Sequence, residues 1–134
     1  MFIQWSDTYA IGIPAIDNDH KNLVARLNHF FSRSQSGASI AELNSILGNI
    51  VGQTSEHFSR EEWMLERADV PDLAAHIAEH RRLVDQIRHF HENFQTSDKR
   101  RDLTVDMAEF LSRWLIDHIL QQDMPAKPHL RRLT

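Results

Sequence analysis

Two long proline-free intervals, 15–70 and 72–124, take up most of the 134 residues of this chain. Proline stands only at 14, 71, 125 and 128, and no glycine follows Gly52. Proline removes a backbone donor and clashes with the preceding helical turn, so such clean intervals leave room for long helices. No segment has the two-residue alternation of a half-buried strand. Apolar residues recur instead at spacings of three and four. In the third segment the run Leu73, His76, His80, Leu83, Ile87, Phe90, Phe94 keeps that spacing without a miss.

Four helices follow from this pattern. The first is expected from about Asn18, capped by Asp17 or Asn18, to Gly37, with Leu23, Leu27, Phe30 and Phe31 inward. The second runs from about Ser39 to Glu66 with Leu43, Leu47, Ile50, Thr54, His57, Glu61 and Met64 on one face. The third follows Pro71. The fourth runs from about Leu103 to Asp123, carries Met107, Leu111, Trp114 and His118, and ends at Pro125. Short joins make sequential helices antiparallel neighbours. The expected fold is all-α: one domain over 1–134, an antiparallel up-down-up-down four-helix bundle at 18–124. An extended N-terminal arm occupies 1–17 and a solvated basic tail 125–134.

The inward faces carry residues that a core ordinarily rejects. His57 and Glu61, His76 and His80, and His118 all sit on apolar stripes. Burying a bare imidazole or carboxylate costs several kcal/mol unless it is paired, hydrogen-bonded or metal-bound. With nine histidines in the chain, about 0.6 His-x-x-x-His pairs arise by chance, so one such pair says little. Convergence says more. His20 and His57 lie 17 and 20 residues either side of Gly37, and His80 and His118 are similarly placed about the third turn. Glu61 and His76 flank the second turn. At about 1.5 Å of rise per residue these positions share one level. One end of the bundle therefore gathers His20, His57, Glu61, His76, His80 and His118, with Asp123 just beyond.

Five imidazoles and two carboxylates suit a first-row transition metal better than magnesium or calcium. There is no cysteine, which excludes zinc ribbons, iron–sulfur clusters and thiol nucleophiles. Seven donors exceed what one metal takes, whereas two metals can share carboxylates. With Glu61, Asp123 and one solvent-derived oxygen as bridges, three histidines complete six ligands on one metal. Two histidines leave the other with five and one open position. Nitrogen-rich octahedral sites suit iron; manganese and cobalt fit the same donors, and zinc, which prefers four ligands, fits less well.

With these residues in place, the chain resembles the bacterial hemerythrins along essentially its whole length. The matching elements are His20, His57-Phe58-Ser59-Arg60-Glu61, His76-Ile77-Ala78-Glu79-His80 and His118-Ile119-Leu120-Gln121-Gln122-Asp123. Flanking matches are Trp5, Tyr9, Gly12-Ile13, Ile16-Asp17, Glu62, Met64 and Trp114-Leu115. Asp19 departs from the pattern, since many relatives have Gln before the first ligand; the departure is expected to alter either the hydrogen bonding around the site or the local field. The resemblance implies two non-haem irons, one held by His76, His80 and His118 and the other by His20 and His57. Glu61, Asp123 and an oxo or hydroxo group would bridge them, with dioxygen binding at the two-histidine iron. Leu23, Phe58, Trp114 and Ile119 are candidate apolar walls of the gas pocket.

The implied function is reversible dioxygen binding for storage, delivery or sensing, rather than enzymatic turnover. Storage or delivery to an oxygen-consuming enzyme fits a single-domain chain better than signalling. The alternatives are a di-iron redox enzyme (peroxidase, nitric-oxide or iron-handling activity) and a structural bundle with buried histidines. Di-iron oxidases favour carboxylates over histidines, which is the reverse of the balance here. A net charge of −4 argues against nucleic acid as partner and against a polybasic anchor. No apolar run is long enough for membrane insertion. With no leader-like segment before Lys21, the expectation is a cytoplasmic monomer. His89, His91, His129, Arg81-Arg82 and Lys99-Arg100-Arg101 are expected on the surface.

Overall fold

The computed structural model describes residues 3–96 and 100–131, with the side chains of 96, 100–108, 121 and 122 outside the description. The Met107 expectation and the Lys99-Arg100-Arg101 run therefore fall outside it. Four long helices, α1 (Pro14–Gln35), α2 (Ile40–Arg67), α3 (Leu73–Thr96) and α4 (Arg100–His118), form a bundle. A π-helical turn, Ile119–Asp123, and a short α5, Met124–Leu130, follow. A 3-10 turn at Asp7–Tyr9 precedes α1. No strand occurs among the described residues.

Cross-helix pairs fix the directions. Asp19 meets His57, Arg26 meets Asn49 and Arg33 meets Glu42. One partner number falls as the other rises, so α1 and α2 are antiparallel. His80 with Glu62 relates α2 to α3, and Trp114 with the Leu83 carbonyl relates α3 to α4. No helix among the described residues is long and apolar enough to cross a membrane.

Local chemistry explains the ends. The Ser39 hydroxyl accepts the Glu42 amide and caps α2. Gly37, at φ 79°, closes α1, and the amide of Ala38 reaches the Arg33 carbonyl at 3.0 Å. Asp69, at φ 50°, does the same after α2, with Val70 N–H on the Leu65 carbonyl.

The start of α1 differs from expectation. The helix begins at Pro14, whose missing N–H costs nothing in the first turn. Asp17 does not cap it; its carboxylate accepts the amides of Ile11 at 2.7 Å and Gly12 at 3.0 Å. That bond folds the arm back so that Ile11, Ile13 and Ile16 become core.

The C-terminal segment is a second correction. Pro125 does not end the helical path, and 125–134 does not begin as a solvated tail. Pro125 sits in the first turn of α5, and Ala126 and Leu130 are buried. They join Ile11, Ile13, Ile16, Leu65, Ala68 and Val70 in a second apolar cluster. Lys127 donates to the Ala10 carbonyl and ties α5 to the arm. The main cluster, centred on Leu27, Phe30, Leu47, Ile87 and Phe94, fills the other part of the bundle. Leu130 is 1% exposed, so Leu130→Ala is expected to lower stability by about 2–5 kcal/mol in a urea titration. An unchanged midpoint would show that α5 merely lies on the surface.

Candidate metal centre

The polar residues flagged on the stripes meet where these helices converge. His57 and Glu61, like His76 and His80, are separated by one helical turn and so share a face whatever the rest of the chain does. His20 comes from α1 two turns after Pro14, not from the opening turn. His118 and Asp123 pose a different problem. Five residues at about 100° each leave two side chains about 140° apart on an α-helix. The π turn removes that divergence: Met124 N–H bonds to the Ile119 carbonyl, five residues back. The Pro125 ring clashes with the carbonyl four residues earlier in a regular α-helix, which favours the wider turn. His118 Nε2 then stands 3.2 Å from Asp123 Oδ1.

All seven residues are at most 7% exposed. One group comprises Glu61, His76, His80, His118 and Asp123; the other comprises His20, His57, Glu61 and Asp123. Within each group the donor atoms lie within 4.8 Å of one another. Glu61 and Asp123 belong to both. Glu61 Oε1 is 3.0 Å from His76 Nε2 and 3.2 Å from His80 Nε2, while Oε2 is 3.1 Å from His57 Nε2. Asp123 Oδ2 is 3.1 Å from His20 Nε2.

The hydrogen-bond pattern shows what this arrangement accepts. Nε2 of His20, His57, His80 and His118, Oε2 of Glu61 and both oxygens of Asp123 are buried without a hydrogen-bond partner. Buried polar atoms are normally paired. Here they face a common volume in two groups, each able to hold a metal ion, and the nitrogen-rich, thiolate-free set fits first-row transition metals.

The electrostatics of the metal-free cluster point the same way. Burial acts to lower the His20 pKa, but Asp123 and Glu61 outweigh it and raise it to about 9. His76 is likewise raised to about 9 by Asp123 and Glu61 against burial. His57 is raised, with Asp19 and Glu61 overcoming its desolvation. Burial acts to raise Glu61, yet His20, His57 and His76 hold it well below the usual carboxylate range. The cluster is thus a knot of proton-sharing groups whose protons a metal would displace.

Outside the cluster, two of its histidines are anchored through Nδ1. His80 Nδ1 is 2.8 Å from Glu62 Oε2, and His57 Nδ1 is 3.0 Å from Asp19 Oδ2. Arg60 pairs with both Asp19 oxygens, at 2.9 and 2.8 Å. Burial acts to raise Asp19, but His57 and Arg60 lower it to about 2. Arg60 was not singled out from the sequence, and Glu62 only as a flank of the motif. Their signal lay in register: Arg60 is three residues from His57 on the same face, and Glu62 is level with His80.

Phe58 stacks on His80, with ring centroids 3.9 Å apart and planes 4° from parallel, and makes a T-shaped contact with His118 at a centroid distance of 5.1 Å. Leu23, Trp114 and Ile119 are buried in the same main cluster. Trp114 Nε1 donates to the Leu83 carbonyl at 3.1 Å. A groove of about 440 Å³ between α3 and α4 reaches Trp114 and His118.

His89 is exposed, but His91 is not the surface residue expected. It packs on Gly48 of α2, where a Cβ would stand 3.1 Å from its Cε1.

Comparison with known proteins agrees with this geometry. The family described as Hemerythrin HHE cation binding domain matches residues 11–130. The Bacteriohemerythrin of Stenotrophomonas maltophilia (strain R551-3) is 30% identical over 134 residues, covering 97% of this chain and 85% of that protein. That of Pseudomonas aeruginosa (strain LESB58) is 31% identical over 119 residues, covering 89% and 75%. The crystal structure of wild-type hemerythrin matches with a TM-score of 0.83 at 24% identity, covering 97% of this chain and 98% of that one, and shares its fold.

Proposed function

The chain belongs to the hemerythrin family, and from that premise we propose that it binds dioxygen reversibly at a non-haem centre of two iron ions. The observation that carries the reading is the pair of buried donor groups joined by Glu61 and Asp123. Iron, when bound there, supplies the electrons and the coordination position that dioxygen needs.

The chain's residues divide the remaining work. His76, His80 and His118 serve one group and His20 and His57 the other, so the second offers fewer protein donors and leaves a position for a small molecule. Glu61 and Asp123 hold the two groups at a fixed spacing. Glu62 and Asp19 accept the Nδ1 protons of His80 and His57, which leaves each Nε2 lone pair facing the centre. Phe58, Leu23, Trp114 and Ile119 exclude water from the side of the main core.

The test is visible absorption of the anaerobic, dithionite-reduced protein, then in air, then after argon purging. A ligand-to-iron charge-transfer band that appears with air and vanishes with argon is the expected result. Absence of a band, or its immediate decay to a ferric spectrum, would favour the redox-enzyme alternative. Ile119 is fully buried, and Ile119→Asn brings a water-binding group beside His118. Autoxidation, followed as the decay of the aerobic band, is expected to accelerate several-fold. An unchanged rate counts against the lining role.

A further inference from the structure

Each donor group contains one histidine whose Nδ1 is anchored to a carboxylate, but the two anchors are built differently. Glu62, on His80, is 28% exposed, and among the described residues no Arg or Lys pairs with it. Asp19, on His57, is held by Arg60 through both oxygens. Arg60 and His57 lie three residues apart on α2, and both reach across to one carboxylate of α1. A guanidinium fork fixes the plane of that carboxylate. Arg60 Nε occupies one side of Asp19 Oδ2, and His57 Nδ1 meets the same oxygen at 3.0 Å. His20, the other imidazole of this group, has no partner for its Nδ1 among the described residues.

We propose that the Asp19–Arg60 ion pair is a positioning device for His57, keeping its proton on Nδ1 and its Nε2 lone pair turned to the His20–Glu61–Asp123 group, and so setting how tightly that group alone retains its metal. The inference rests on the two-metal reading above, though not on dioxygen binding. A carboxylate can only accept, so Asp19 selects the Nδ1–H form of a neutral His57. Arg60 acts through Asp19: among the described residues its charged partners are Asp19 and Glu56, neither a donor of the centre. Removing a partner of this kind ordinarily weakens metal binding about 10- to 100-fold.

The experiment is a stepwise, anaerobic titration of the metal-stripped full chain with Co²⁺, read by its visible spectrum and by calorimetry. The parent chain is expected to take two ions. Asp19→Ala should weaken one step by about 10- to 100-fold and leave the other unchanged. Asp19→Asn, whose amide oxygen still accepts from Nδ1–H, should recover most of the loss. Arg60→Ala alters a half-exposed side chain and spares the fold; it should weaken the same step but add nothing in the Asp19→Ala background. A parent that takes fewer than two ions overturns the two-metal reading and this inference together. A parent that takes two, with Asp19→Ala weakening both steps equally or neither, overturns only the positioning role. So does an Arg60→Ala effect that persists without Asp19.

Discussion

Glu61→Ala is expected to leave the chain unable to retain either metal ion. Glu61 is, with Asp123, one of two residues that both donor groups share: one oxygen faces His76 and His80, the other faces His57. Its removal takes a donor from each group and leaves Asp123 as the sole anion among five imidazoles. The charge balance worsens as the coordination falls, so the loss exceeds that of any single histidine. His118→Ala is the comparison, because His118 belongs to one group only. It should lose the ion of that group and lower the melting temperature while the His20–His57 group keeps its donors. Metal content per chain by mass spectrometry checks both variants. Two ions retained in Glu61→Ala would remove that carboxylate from the centre, and two retained in His118→Ala would do the same for the histidine.

The second large effect is an opposite response to pH with and without metal. In the metal-free chain His20 and His76 are raised from 6.5 to about 9. Groups raised in the folded state bind protons more tightly there than in the unfolded chain. Their stabilisation is therefore complete below about pH 6.5 and lost as the pH rises through about 9. Glu61 and Asp123 are lowered and act in the other sense: their contribution is present above their ordinary values and lost in acid. The melting temperature of metal-free protein should fall steadily from pH 6.5 to above 9. Metal-loaded protein gains over this range, because metal and proton compete for the same nitrogens. The gap between the two melting temperatures should widen with pH. A metal-free melting temperature that stays flat from 6.5 to 9 would mean that the imidazoles share no protons with Glu61 and Asp123.

The arrangement around the donors explains why the bundle tolerates them. They lie between two apolar clusters, the main core and the smaller one built from the arm, the end of α2 and α5. Each cluster excludes water from one side of the site, which strengthens every interaction among the buried charges. The smaller cluster was invisible to periodicity. Ile11, Ile13 and Ile16 precede or open α1, and Ala126 and Leu130 follow a helix-breaking proline. None belongs to a long stripe, so their burial had no repeating signal.

What the sequence determined by itself was whatever helical geometry repeats locally. The spacing of three and four put His57 with Glu61, and His76 with His80, on inward faces before any packing was known. Chain lengths between turns then brought His20, His57, Glu61, His76, His80 and His118 to one level. What only the tertiary structure decided depends on the rotation of one helix against another. The hold of Arg60 on Asp19 and the pairing of His80 with Glu62 join residues on different helices, as does the seat of His91 on Gly48. No short-range period encodes such contacts. The π turn stands between the two: Pro125 favours it locally, but its use shows only in the packed bundle. An interval of five residues between His118 and Asp123 diverges on an α-helix, and only a locally wider turn, with Leu130 seated on the arm, aims both at the same centre. Backbone geometry is set by neighbours a few residues away, whereas a shared centre is set by helices that meet only after the chain has folded.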